Sequence, residues 1–414
     1  MIDVIVIGGG AAGMLAAAVS AETGAKTFLL EKNEKVGRKL MITGKGRCNL
    51  TNDCDVTQLI DNIPSGGKFL YSSLNAFAPN KVIDLFNSLG VPLKTERGGR
   101  VFPVSDKSSD IVDSLRKYAF SSGVKIVHNR VCGIKKLDEE IFEISTADNM
   151  FKCKQVVLAT GGLSYPTTGS TGDGYEFAKI LGHTITPLRG SLVPLKAEPE
   201  ICGAMQGLSL KNVRLSVFDG GKKSIFTDFG ELLFTHFGLS GPLALSASAH
   251  MRDFDNKKYH VIVDLKPALD EKKLDLRILR DFEKYKSRDF ANSLGDLLHK
   301  SMIPIIIQKS GIPPDKKVHS ITKTERQELI RQIKSFRIEI DNPRPVDEAI
   351  ITSGGIALKE INPKTMESKL IKGLYFAGEI IDADAYTGGY NLQIAWSTAF
   401  AAGKSAALKI FDNL

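Results

Sequence analysis

Residues 2–7 form a short, nearly unbroken apolar run, Ile-Asp-Val-Ile-Val-Ile, that stops at three glycines. A β-branched run of that length predicts a strand buried on both faces. Residues 14–21 are mostly small and apolar, which predicts a helix able to lie close against a sheet. Residues 26–30 predict a second strand, ending in Glu31. Leu59 to Gly90 reads as helical, with Leu70, Leu74, Phe77, Ile83, Leu85, Phe86 and Leu89 on its apolar side. Gly98-Gly99 breaks that pattern, and Ser109 is placed to cap a helix over 110–120. Residues 124–131 read as a strand, 134–147 as a hairpin, and 155–159 as another buried strand.

The pattern changes at Leu192. Residues 192–195, 213–218, 225–234 and 260–265 read as antiparallel strands, and 271–285, 290–298, 303–309 and 323–336 as helices. Residues 373–379 then supply a last buried strand, ending at Gly378 and Glu379, and 388–393 open a final helix. Strand–helix alternation at both ends, with strands and then helices between them, predicts an α/β fold. A Rossmann-like domain over 1–191 and 345–414 is split by an inserted domain over 192–344. The insert divides into a β barrel-like part, 192–266, and a mainly helical part, 267–344.

Gly8, Gly10 and Gly13 fit the spacing G-x-G-x-x-G between the first strand and the first helix. In such a unit the first glycine allows the tight turn, the second lets backbone approach a pyrophosphate, and the third lets helix and strand pack. The helix N-terminus offers free N–H groups and a partial positive charge to the phosphates. Glu31 can accept hydrogen bonds from a ribose and would repel a 2′-phosphate. The complete strand–turn–helix–strand–acid unit predicts a dinucleotide site, without separating FAD from NAD. Beyond Glu31 lies a polar, glycine-rich loop over 32–52. Gly44 and Gly46 free its backbone to lie along a ligand, while Arg38, Lys39 and Arg47 can face a diphosphate.

Gly37-Arg38-Lys39-Leu40 and Thr43-Gly44-Lys45-Gly46-Arg47-Cys48-Asn49-Leu50-Thr51-Asn52 resemble the signature of the BaiN/RdsA-like flavoproteins. That family includes enzymes labelled aminoacetone oxidases and bile-acid enone reductases, and it is more distantly similar to glutathione-reductase-type flavoproteins. The resemblance spans essentially the whole chain and implies FAD, with the loop running beneath the pyrophosphate toward the isoalloxazine. It further implies that Val131 contacts the adenine, and that Ala159-Thr160-Gly161-Gly162 is a second FAD fingerprint. Asp382 is expected at the ribityl chain, and the start of the last helix at the flavin pyrimidine edge. The cofactor-binding set so implied is Gly8, Gly10, Ala11, Ala12, Gly13, Glu31, Lys32, Arg38, Lys39, Thr43, Gly44, Arg47, Cys48, Asn49, Val131, Ala159, Thr160, Gly161, Gly162, Gly378, Glu379, Asp382, Gly389, Asn391, Leu392 and Gln393.

No catalytic residue stands out beyond His236, a candidate acid or base in the stretch Glu231 to Pro242. The competing reading, a histidine bonded within a turn, is favoured. The net charge of +8 permits an acidic partner, but the densest basic stretch, Lys266 to Arg288, is interleaved with Asp and Glu. A solvated helical face is therefore expected there rather than a nucleic-acid surface. The five cysteines (48, 54, 132, 153 and 202) show no paired disulfide framework and no metal-ligand spacing, which suits a reducing compartment. Cys48 and Cys54 are separated by a stretch ending in the turn-forming Thr51-Asn52-Asp53, so ordinary thiols rather than a redox pair are expected. With no signal peptide before the first strand and no membrane-length apolar run, a cytoplasmic protein is expected.

The functional expectation is an FAD-dependent oxidoreductase passing hydride between flavin N5 and a small organic substrate. An NAD(P)H-dependent reductase of activated C=C bonds is preferred. An amine oxidase using oxygen and a flavin-dependent RNA-associated protein are the alternatives. One dinucleotide site is preferred to two, so NADH or NADPH would serve as electron donor without a Rossmann unit of its own.

Overall fold

The computed structural model describes residues 1–411. It divides the chain into two compact units, Met1–Ser191 with Val346–Leu414, and Leu192–Pro345. The last three residues of the first unit lie outside the described ones.

The first unit is built on a parallel sheet. Its strands run in the order Lys125–His128, Thr27–Glu31, Ile2–Ile7, Met150–Leu158, Leu374–Phe376. Val4, Ile5 and Val6 are wholly buried, as expected of a strand covered on both faces. Strand Met150–Leu158 is forked. Its second half pairs with Ile2–Ile7 and Leu374–Phe376, while its first half pairs antiparallel with Phe142–Thr146. Helix Ala11–Glu22 and the long helix Tyr390–Phe411 pack directly on each other. A Cβ on Gly403 would stand 2.3 Å from the Ala16 carbonyl oxygen, so only glycine permits that approach.

The expected helical stretch 59–90 is three helices: Val56–Asp61, Gly67–Ala76 and Pro79–Ser88. Pro64 lies within the first break and Pro79 opens the last helix, since proline starts helices but does not continue them. The next helix is Ser108–Ser121, with Lys107 at its N-cap and no side-chain cap. Ser108, not Ser109, reaches out, donating to the Met41 carbonyl at 2.6 Å.

The second unit contains a closed six-stranded barrel. Its order is Leu195–Ala197, Gly238–Ser240, Phe226–Thr235, Ser209–Phe218, Tyr259–Asp264, Phe336–Pro343. Two of these strands fall outside the expected set. The segment from Phe336 alternates Phe336, Ile338 and Ile340 inward with Arg337 and Glu339 outward, a period of two. The preceding helix ends at Lys334, so the region expected to be helical to 344 closes the barrel instead. Residues 290–298 form only a short 3-10 turn, Phe290–Asn292.

Candidate functional site

The turn after the first strand shows which glycine does what. Gly8 adopts φ +104°, and a Cβ there would lie 2.5 Å from the Ala159 carbonyl oxygen. A Cβ on Gly13 would sit 1.7 Å from the Gly8 carbonyl oxygen. Both positions therefore exclude side chains for packing reasons. A Cβ on Gly10 would meet nothing within 4 Å, because Gly10 borders a cavity. Gly10 is also the N-cap of helix Ala11–Glu22 and supplies no side-chain cap, which leaves first-turn N–H groups for a ligand.

Glu31 is 7 % exposed and ends the second strand. Its Oε2 accepts from the Gly9 N–H at 2.6 Å, and its Oε1 accepts from the Asn33 N–H at 2.8 Å. The Asn33 side-chain amide donates to the same Oε1 at 2.6 Å, so the carboxylate is fixed at the cavity wall with one acceptor position, on Oε2, remaining for a hydroxyl donor. Asn33 carries the order outward, accepting from Arg38 at 2.9 Å. At the same rim Lys32 donates to Asp173 at 3.1 Å.

The cavity gathers most of the expected residues: Gly8, Gly10, Ala11, Ala12, Glu31, Lys32, Arg38, Lys39, Thr43, Val131, Ala159, Thr160, Gly161, Gly378, Glu379, Asn391 and Leu392. It adds Asn33, Lys35, Asn129, Arg130, Thr168, Ser170, Asp173, Ile350, Ile351 and Ala383. Of these, Asp173 opens helix Asp173–Ile180, and none was named from the sequence as a cofactor contact. The wall holds five cationic side chains (Lys32, Lys35, Arg38, Lys39, Arg130) against three acidic ones (Glu31, Asp173, Glu379). That excess of two positive charges suits a bridging diphosphate.

The remaining expected residues lie off the wall. Arg47 pairs with Glu96 and Asp106 and covers the Phe102 ring at 4.0 Å, so its charge is spent on the neighbouring sheet. Cys48 is fully buried, and a Cβ on Gly44 would lie 2.9 Å from the Asn49 backbone nitrogen. With its amide assigned to satisfy both ends, Asn49 accepts from the Gly389 N–H at 3.0 Å. Gly389 packs on Thr51, where a Cβ would come within 2.3 Å of the carbonyl oxygen. Gln393 is fully buried and donates to the Phe77 carbonyl at 2.8 Å. Gly13 and Gly162 serve packing, and at the Asp382 turn the wall is made by Ala383. His236 belongs to the second unit, exposed in the turn after strand Phe226–Thr235, edge-on to Phe237 at 5.0 Å.

Burial pushes the Cys48 thiol up to about 12. Cys54 is pushed up to about 11, by burial first and then by Asp55 and Asp53. Among the described residues no group of His, Cys, Asp or Glu is arranged to hold a metal ion, and no helix is long and apolar enough to cross a membrane.

The family described as the HI0933-like protein Rossmann domain matches residues 2–405. The chain belongs to that family. It is 31 % identical over 407 residues to the 3-dehydro-bile acid delta(4,6)-reductase of Clostridium scindens, covering 97 % of this chain and 98 % of that one. It is also 31 % identical over 403 residues to the ribosomal RNA dihydrouridine synthase of Escherichia coli K12, covering 96 % of each. Among solved structures, 3-ketosteroid delta1-dehydrogenase from Sterolibacterium denitrificans matches with a TM-score of 0.53 at 13 % identity, covering 99 % of each chain, which shows a shared fold. The protein is accordingly an FAD-dependent oxidoreductase. The cavity fits FAD on its own evidence: an open glycine at a helix start, a fixed acid at the end of the second strand, and a wall with an excess of positive charge. When bound, the flavin supplies hydride exchange at N5. Gly10, Glu31, Lys32 and Arg38 would hold its ADP half, and the remaining cavity residues would wall the rest.

Proposed function

We propose that the protein is an NAD(P)H-dependent reductase of C=C bonds conjugated to a carbonyl. The observation that carries this reading is full-length similarity to a family member named as a delta(4,6)-reductase of a 3-dehydro-bile acid. A double bond conjugated to an oxo group accepts hydride at its β-carbon, because the carbonyl takes up the developing charge. The test is anaerobic. NADH or NADPH should bleach the bound flavin, and a 3-oxo-Δ4 or Δ4,6 steroid should restore its colour. Bleaching by small amines with peroxide formation in air, and none by either nicotinamide, would replace this reading with an amine oxidase.

A second reading keeps the chemistry and changes the carrier: the C5=C6 bond of uracil within RNA, also conjugated to a carbonyl. Two observations favour it. One full-length relative is named as a ribosomal RNA dihydrouridine synthase. The inserted unit also holds 26 Lys and Arg against 20 Asp and Glu, hence +6 of the chain's +8. This reading requires RNA to reoxidise the reduced flavin, with binding that weakens steeply as salt rises.

A further inference from the structure

Four separate segments of the first unit meet at one carboxylate beside the cavity, that of Glu379. Its Oε2 accepts from the Lys39 ammonium at 2.6 Å. Its Oε1 accepts from the Thr352 N–H at 2.8 Å and lies 3.0 Å from the Ser164 hydroxyl. Lys39 also donates to the Ser164 hydroxyl at 2.7 Å. Thr352 is 1 % exposed and belongs to strand Ile351–Ser353. Its Oγ1 accepts from two consecutive backbone amides, Leu163 at 2.7 Å and Ser164 at 3.2 Å. Those amides continue the turn Ala159-Thr160-Gly161, which lines the cavity. The same geometry explains Gly162, where a Cβ would stand 2.3 Å from Thr352 Oγ1 and 2.8 Å from Glu379 Oε1. That glycine lets the turn close on Thr352.

We infer that Thr352 is a positioning residue for FAD, holding through its hydroxyl the turn 160–164 and through its amide the Lys39–Glu379 pair. The reasoning is one of satisfied donors. Without an acceptor at Oγ1, the buried Ser164 N–H and the half-buried Leu163 N–H are left unpaired, and the turn gains by relaxing toward water. FAD binding must then draw Thr160, Gly161, Lys39 and Glu379 back into place, and affinity falls by the cost of doing so. Thr352→Val keeps the shape and the backbone amide while removing the acceptor. Thr352→Ser keeps the acceptor.

The experiment measures FAD dissociation constants of the apoprotein by flavin fluorescence quenching, alongside its thermal midpoint. Thr352→Val is expected to weaken FAD by about tenfold or more, the factor corresponding to one unsatisfied buried donor. Thr352→Ser is expected to stay within about threefold of wild type, since a serine oxygen satisfies the same two amides. Equal FAD affinity in Thr352→Val and wild type would overturn the inference, even with a lowered thermal midpoint, because a purely structural role predicts that outcome. So would a Thr352→Ser protein as weak as Thr352→Val. Should Thr352→Val not fold, amide hydrogen exchange of the wild-type apoprotein decides. Protected Leu163 and Ser164 amides support the pin, and amides exchanging as fast as free peptide refute it.

Discussion

Glu31 already holds the turn through its hydrogen bonds, and a ribose bound there would give the same side chain a second role. Its hydrogen bond from the Gly9 N–H, 2.6 Å long, shapes the phosphate turn before any ligand arrives. Glu31→Ala should therefore cost twice, leaving the Gly9 donor without an acceptor and removing the ribose partner. Each loss is worth about 1–3 kcal/mol. The first should appear in denaturant unfolding of the apoprotein and the second in FAD affinity. Unchanged apoprotein stability would show that the Gly9 bond carries little. The two cysteines of the loop argue the other way. Burial raises Cys48 to about 12 and Cys54 to about 11, so both are thiols at neutral pH and lack the thiolate needed for attack. Cys54→Ser should keep its rate of flavin reduction by any working donor. Labelling of Cys54 by a disulfide reagent should accelerate with pH well beyond 8; a fast reaction at pH 7 would contradict its environment.

At the level of the element, the start of helix Tyr390–Phe411 is where expectation and structure part most usefully. Gly388 and Gly389 look like an opening for a flavin edge, yet Gly389, at φ +98°, is spent on contact with Thr51. Asn391 and Leu392 face the cavity in its place. Gly389→Ala should destabilise the protein by about 3 kcal/mol or more, combining a left-handed backbone with an overpacked contact. The charge test moves accordingly to Leu392. If the helix start faces the flavin N1 and C2 carbonyl, its partial positive charge favours the reduced form. A carboxylate in Leu392→Asp then opposes that effect, lowering the two-electron potential by about 20–40 mV, equivalent to 1–2 kcal/mol. Spectroelectrochemical titration of the FAD-loaded variant measures it, and an unchanged or raised potential would mean the helix points elsewhere.

For the whole molecule, the notable fact is that every cavity residue belongs to the first unit, although that unit is assembled from both ends of the chain. Strands Arg189–Ser191 and Ile351–Ser353 pair as an antiparallel ribbon, with Ser191 opposite Ile351. The chain thus leaves the unit and re-enters it close by. Replacing residues 192–345 by a short Gly/Ser linker should give a yellow protein that still releases FAD on denaturation. It should lose turnover with substrate if the residues that recognise substrate lie in the removed unit. A colourless deletion protein with intact helical circular dichroism would show that FAD retention needs the insert.

The sequence by itself determined what depends on neighbours along the chain. The strand–glycine–helix–strand–acid order places Gly8 and Gly10 in the turn, Gly13 in the first turn of the helix and Glu31 at the end of the second strand, where it accepts from the turn's Gly9 N–H. The α/β character of the ends and the antiparallel strands of the insert were legible from period and length. Tertiary structure decided the roles of residues whose partners lie far off in sequence. Arg47 has the same composition signal as Lys39, but one is taken by Glu96 and Asp106 while the other reaches Glu379, 340 residues away. Gly162, Gly389 and Gln393 look like ligand contacts because glycine and amide serve ligands and packing equally well, and only the neighbour's position separates the two uses. Strand Phe336–Pro343 carried a readable alternation, but it follows a helix without a break, and closing the barrel is what fixes it as a strand. Thr352 carried no local sign of this role: a threonine in a short strand becomes a pin only when two amides from 188 and 189 residues away are brought to its hydroxyl.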